Sequence, residues 1–278
     1  MQFGDFEIHF LSDGAFKLDV GAMFGIVPKA LWERERQADE RHRLTLALTV
    51  PLIRTGKHNI LLDCGIGRKW NAKQRDIYAI KEHPDLLDSL AAVGLAPADI
   101  TIVIHSHLHH DHTGWNTQLN AAGEPEPVFA NARHIIHRRE LESAHHPNEI
   151  QRGTYLAANI VPIEAAGGWA SFEDRREVAP GITVFHTGGH TAGHAAVSIE
   201  SGGQKAFFLA DLFPTTTHRH LPWIMAYDEY PMDTLEQKRK LFKQCVEHNA
   251  LVLLNHDPFC CAVRLQAAGE KFEAIKEC

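Results

Sequence analysis

The sequence predicts a layered α/β domain, with helices packed outside two β-sheets. Two observations carry this. Strand-like runs dominate both halves of the chain, and each half closes with a helix-like run; no low-complexity linker or repeat is visible between them. The chain has 278 residues, 44% of them hydrophobic and 23% charged, enough to bury a large core without structural metal or disulfides. The expected organisation is a single domain over residues 1–278.

Taken in order, "LTLALTVPLIRTG" and "HNILLDCGIG" are β-rich runs around a Thr-Gly-Lys turn and predict a hairpin. "HPDLLDSLAAVGL" places Leu86, Leu87, Leu90, Ala91 and Val93 on a helical face stopped by Gly94. "DITIVI" is a short buried strand. "GITVFHTGGH" and "AAVSIESGGQKAFFLADLF" predict three strands, the last two joined at Gly202-Gly203. "MDTLEQKRKLFKQCVEHN" predicts an amphipathic helix capped by Asp233 or Thr234. "ALVLLNHDP" is an apolar strand that ends in His and Asp.

A net charge of -7 argues against a polyanion-binding surface, so nucleic acid is not expected as a partner. The opening "MQFGDFEIHFLSDG" carries acids early and lacks a signal-peptide core, and no apolar run has membrane-spanning length. Neither a leader nor a membrane partner is expected. Five cysteines (Cys64, Cys245, Cys260, Cys261, Cys278) form no CxxC pair and are expected as reduced thiols in a cytoplasmic protein.

The chemistry concentrates in "HSHLHHDH", five histidines and an aspartate in the eight residues from His105 to His112. A helix would place metal ligands four residues apart. His107 and His109 are two apart, a spacing that faces them the same way only in extended chain. Asp111 and His112 follow in different directions. One pair thus suits one metal ion, and the other pair a second ion beside it. His105 and His110 alternate with these positions and are expected to turn away. Imidazole with carboxylate suits zinc first, and also iron, manganese or cobalt. A solvated histidine-rich loop is the alternative. Three further strand ends weigh against it: "HTGGHTAGH", "FFLADLF" with Asp211, and "LVLLNHD" with His256.

With these motifs the sequence resembles the metallo-β-lactamase superfamily. Its H-x-H-x-D-H signature corresponds to His107, His109, Asp111 and His112; its G-H turn to Gly189-His190; its bridging aspartate to Asp211; its last histidine to His256. The resemblance runs from about Leu44 to Asp257 and implies an αββα sandwich with the site at one edge of the sheets. It implies two divalent ions, one held by His107, His109 and His190, the other by Asp111, His112 and His256, with Asp211 bridging. Asp63 in "LLDCG" would support the ligands from behind. A metal-bridging hydroxide would be the nucleophile, and Asp111 is carried as catalytic as well as ligating. Flavodiiron relatives have glutamate at the position of His109, so hydrolysis is favoured. The nucleic-acid-processing branch shares the signature but fits the acidic balance poorly.

Within the hydrolases the chain most resembles the quorum-quenching lactonases, which open N-acyl homoserine lactones, and the related organophosphate hydrolases. The "HLHHDHTGWN" context and the "GGHTAGH" turn carry this. Many such lactonases have a tyrosine three residues after the bridging aspartate, where this chain has Pro214. Tyr227 is the leading replacement donor, with His218 and His220 behind it. Phe24, Trp32, Trp115, Trp223 and Met225 are candidates to contact an acyl or aromatic group, with ordinary core packing the alternative for each. The loops "MFGIVPKALWER" and "LPWIMAYDEY" could also serve a homodimer. The expected activity is opening of a lactone or similar small-molecule ester. The same site acting on an organophosphate or aryl ester, or a non-catalytic metal-binding protein, are the alternatives.

Overall fold

Two seven-stranded sheets face each other in the computed structural model, which describes residues 1–81 and 83–277. The first sheet contains β1 (Gln2–Phe3), β2 (Phe6–Asp19), β3 (Arg43–Arg54), β4 (Asn59–Leu62), β5 (Ile102–Ile104), β6 (Arg133–His137) and β7 (Trp169–Phe172), side by side in that order. The second contains β8 (Arg175–Ala179), β9 (Ile182–His186), β10 (Ala195–Ser201), β11 (Gln204–Phe208), β12 (Leu251–Leu253), β13 (Ala262–Ala268) and β14 (Lys271–Lys276), again in chain order. Strands β4 to β7 run parallel, as do β11 and β12, so both sheets are mixed.

Side-chain alternation explains the layering. Ile60, Leu62, Ile102 and Ile104 point between the sheets, where they meet Val184, Val197, Phe208, Leu251 and Leu253. Their neighbours Leu61 and Val103 point outward, beneath Leu86 and Leu90 of the helix Leu86–Ala92. On the far side Phe207, Val252 and Val263 point outward beneath Leu241, Phe242 and Cys245 of the helix Pro231–Glu247. Central strands covered on both faces read as unbroken apolar runs, which is why "DITIVI" and "LVLL" look as they do. The result is a four-layer αββα sandwich.

The hairpins form where expected. Arg54 pairs with Asn59 across the β3–β4 turn. Ser201 pairs with Gln204 around Gly202 and Gly203, whose φ values of 55° and 75° suit a tight two-residue hairpin turn. The helix Pro231–Glu247 departs from expectation at its start. Its cap residue is Tyr230, with no side-chain cap bond, and Pro231 opens the first turn. Proline is pre-set for that position, so Asp233 and Thr234 fall inside the helix. The cysteine expectation also needs correction. Cys64, Cys245 and Cys260 are free and buried, but Cys261 is disulfide-bonded; Cys278 lies outside the described residues.

Candidate metal centre

Every group of interest follows the end of a strand, on one edge of the sandwich. Asp63 follows β4, the histidine cluster follows β5, His190 follows β9, Asp211 follows β11 and His256 follows β12. Ligand sites in α/β sheets gather outside the carboxyl ends of strands. The cluster itself changes conformation midway. Ser106 to His109 lie outside regular structure, whereas His110–Thr113 form one helical turn. That turn, rather than continued extended chain, sets the directions of His110, Asp111 and His112.

The structure brings all seven expected ligands together, each buried. Donor atoms of His107, His109 and His190 lie within 4.8 Å of one another, as do those of Asp111, His112 and His256. Asp211 stands between the groups. Its Oδ2 is 3.4 Å from His190 Nε2, while its Oδ1 is 3.4 Å from both His112 Nε2 and His256 Nε2. His105 and His110 stand apart. His105 stacks on His134, and His110 packs its ring edge-on against Trp70 at 5.1 Å and beside Tyr78 at 5.4 Å.

The opposite faces of the ligands are held by the fold. Asp63, at a φ of 60°, receives Ser106 N and Ser106 Oγ at 2.7 Å, and its Oδ2 lies 2.8 Å from His112 Nδ1. Ser106 Oγ in turn meets His107 Nδ1 at 3.0 Å. His256 Nδ1 is 2.9 Å from the Ala47 carbonyl, and Asn255 Nδ2 donates to Asp211 Oδ1 at 2.8 Å. Asp228 lies 2.9 Å from His190 Nδ1. Such partners fix ring orientation and tautomer. Buried Glu140 joins the two loops: it accepts from Leu108 N at 3.0 Å, Thr191 Oγ1 at 2.6 Å and Tyr155 OH at 2.9 Å. Neither Asp228 nor Glu140 stood out in the sequence. Asp228 had a weak signal, an acid embedded in the apolar "WIMAYDEY"; Glu140, in the charged run "HRRELES", had none.

These residues fit a pair of divalent ions. His107 Nε2 is sealed from water without a hydrogen-bond partner, its Nδ1 being taken by Ser106. Burial pushes the imidazoles of His107 and His109 well below their usual range, which keeps them neutral and able to ligate. Burial alone would raise the Asp211 carboxyl, but His112, His256 and His190 outweigh it and hold the group ionised. Burial likewise disfavours a charged His112, yet Asp211, Asp111 and Asp63 drive its pKa well above normal. The pocket draws positive charge.

A cavity of about 170 Å³ opens over this cluster, with His109, Asp111, His190, Asp211 and His256 in its floor. Met225 and Tyr227 line its wall, joined by Tyr78, Gln151 and Glu229, which the sequence reading did not select. Burial and the neighbouring Glu140 push the Glu229 carboxyl up to about 7. Four aromatic candidates are corrected: Phe24, Trp32, Trp115 and Trp223 are not among the lining residues. Phe24 stacks on Trp32 at 5.8 Å and meets Trp223 edge-on at 5.4 Å within one core cluster. Trp115 packs in another, its indole N–H donating to Asp13 at 2.6 Å. Of the replacement donors, His218 is taken by Met23 O and Thr215, and His220 by Glu35, so Tyr227 alone reaches the cavity.

A family model described as the metallo-beta-lactamase superfamily matches residues 49–247. The chain is 29% identical over 192 residues to the N-acyl homoserine lactonase AttM of Rhizobium radiobacter, covering 66% of this chain and 68% of that protein. Among solved structures it is similar to a probable metal-dependent hydrolase from Staphylococcus aureus, 35% identical with a TM-score of 0.92, over 100% of this chain and 99% of that one. The dizinc quorum-quenching lactonase AidC, captured with N-hexanoyl-L-homoserine, shares the fold: TM-score 0.82 at 22% identity, over 100% of this chain and 96% of that one. Among the described residues, no helix is long and apolar enough to cross a membrane.

Proposed function

Because the chain belongs to the metallo-β-lactamase superfamily, we propose that it is a metal-dependent hydrolase that opens N-acyl homoserine lactones or closely similar esters, an activity that would quench acyl-lactone signalling. The observation that carries this is the position of Asp211, one oxygen facing His190 and the other facing His112 and His256, in the floor of the cavity. His107, His109 and His190 would hold one ion, Asp111, His112 and His256 the other, and Asp211 both. Bound there, zinc or a similar divalent ion supplies Lewis acidity and an activated water near neutral pH.

The chain's own residues prepare that chemistry. Asp63, Asp228, Asn255 and the Ala47 carbonyl hold the ligands from behind, so the donor set needs no rearrangement when it is used. Apolar wall residues, Leu18, Met23, Leu46 and Met225, exclude bulk water and suit an acyl chain. Burial raises the Tyr227 phenol, keeping its proton available for the oxyanion that forms on the attacked carbonyl.

One observation favours a second reading, hydrolysis of phosphotriesters or aryl esters: Pro214 offers no phenol where many lactonases have one. A hydrolysis panel decides between them. The metal-loaded protein is presented with lactones, aryl esters, an aryl phosphotriester and a β-lactam. Acyl lactones should give the highest kcat/KM. A leading phosphotriester would establish the second reading, and no turnover of any substrate would leave only a metal-binding protein.

A further inference from the structure

Two tyrosines line the cavity from different elements, Tyr227 on the loop ahead of the long helix and Tyr78 at the end of the helix Ala72–Tyr78. Tyr78 takes no part in holding the ligands. Its ring is fixed from two sides, edge-on to Trp70 at 5.6 Å and beside the buried His110 at 5.4 Å. The backbone turns sharply after it. Ala79 sits at a φ of 45°, and Lys81 N ties the next residues to β2 by donating to the Ala15 carbonyl at 2.8 Å.

Neither Tyr78 nor Tyr227 commits its hydroxyl inside the protein. Neither phenol oxygen has a hydrogen-bond partner among the described residues, and neither is sealed from water. The Tyr155 phenol, by contrast, donates to Glu140 at 2.9 Å. Burial and then the charge of Asp111 push the Tyr78 phenol up; burial, Asp19, Tyr78 and Asp111 do the same to Tyr227. The two phenols thus share one electrostatic neighbourhood with Asp111, and both keep their protons at neutral pH. Opening an ester places charge on two oxygens attached to one carbon. The carbonyl oxygen gains it on attack, and the ring oxygen gains it when the C–O bond breaks. In the proposed reaction Tyr227 serves the first.

We propose that Tyr78 is a catalytic residue that serves the second, donating its proton to the ring oxygen that leaves. Once the carbonyl carbon has taken up hydroxide, its bond to the ring oxygen breaks and the electron pair passes to that oxygen. The Tyr78 O–H proton follows, and the phenolate regains a proton from water. An alkoxide is more basic than a phenolate, so the transfer is favourable. The inference rests on the lactone-opening reading for its reaction, and on the placement of the phenol for its contact with the substrate.

The test is Tyr78→Phe in the metal-loaded protein, a change that keeps the ring and removes only the hydroxyl. On N-hexanoyl homoserine lactone kcat should fall by about 10²-fold, the scale of a lost general acid. On a p-nitrophenyl ester, whose leaving group needs no proton, kcat should stay near wild type. Tyr227→Phe should slow both substrates, because both pass through an oxyanion. A second readout needs no turnover. Ring-opened N-hexanoyl homoserine carries the former ring oxygen as a hydroxyl, and its calorimetric binding is compared with that of N-hexanoyl-2-aminobutyrate, which lacks it. The wild type should favour the hydroxyl compound by about 3- to 10-fold, and Tyr78→Phe should erase the preference. An equal fall on both substrates, an unchanged lactone kcat, or metal lost from the variant would each overturn the proposal without touching lactone opening by the wild type. If the wild type turns over neither substrate, the hydrolytic reading fails and the proton transfer with it. A hydroxyl preference lost in the variant would then keep Tyr78 as a binding residue only, and no preference would overturn that contact as well.

Discussion

Asp228 meets His190 across 2.9 Å with both side chains about 1% exposed, although 38 residues separate them in the chain. The contact joins the loop after β9 to the loop ahead of the long helix Pro231–Glu247, and Asp228 Oδ2 also receives Met225 N at 3.0 Å. One carboxylate therefore orients His190 and shapes the cavity wall. Replacing it with alanine should weaken metal binding at the His107, His109 and His190 group by about 10–100-fold. Competition against a chromophoric chelator measures this, and an unchanged affinity would show that His190 needs no such support.

Asp211 faces both ligand groups, whereas His109 belongs to one. Asp211→Ala should lower occupancy at both positions; His109→Ala should empty mainly one. Metal analysis of the two purified variants distinguishes these outcomes. Equal losses would argue against a shared carboxylate.

His110 and His112 are two residues apart on one helical turn, and His112 joins the expected ligand groups while His110 packs on Trp70 with its Nδ1 3.5 Å from Asp111 Oδ1. His110→Ala should keep metal content near wild type while losing about 1–3 kcal/mol of stability from its packing on Trp70 and Tyr78. His112→Ala should lose metal. Parallel metal loss in the two variants would mean that His110 also contributes to binding.

Tyr227 lines the cavity with its phenol kept protonated by burial. Tyr227→Phe should lower kcat on lactones by about 10²-fold with metal content unchanged, the scale of a lost oxyanion donor. Steady-state kinetics on the metal-loaded variant reads this directly. An unaltered kcat would remove the phenol from the reaction.

Lys238 is buried and donates to the carbonyls of His220 and Trp223, at 3.1 and 2.7 Å, tying down the loop that leads to Met225 and Tyr227. Burial lowers its pKa to about 7, against the opposing pull of Asp228. Between pH 7 and its unfolded value of 10.5 the unfolded chain holds a proton that the folded chain has released, so this group makes stability rise with pH across that window. Lys238→Met should flatten that rise in thermal melts. An identical pH profile would show that Lys238 stays charged in the folded protein.

Much of this was legible in the chain. Strands such as Ile102–Ile104 and Leu251–Leu253 are apolar on both faces because both faces are covered, and polar groups at their ends stand out. The expected ligands could be read because histidine and aspartate after a buried strand are costly unless paired or bound. The aromatic residues could not: periodicity does not tell whether a loop tryptophan faces a cavity or another ring, and the ring contacts with Phe24, stacked at Trp32 and edge-on at Trp223, decide it. Glu140 was hidden for the opposite reason. Preceded by two arginines in "RRELES", it reads as a solvated helix charge, and only the three donors converging on it from residues 108, 155 and 191 reveal its burial. The start of the last helix was misplaced because Pro231 satisfies its first turn without any polar cap.

In the proposed reaction two metal ions share Asp211 and hydrolysis depends on both. Elemental analysis of the active protein, followed through stepwise chelation with activity recorded at each step, tests it most directly. About two divalent transition-metal ions per chain are expected, with hydrolysis falling as they are withdrawn and returning when they are restored. Full activity in a protein that holds one ion or none would contradict it.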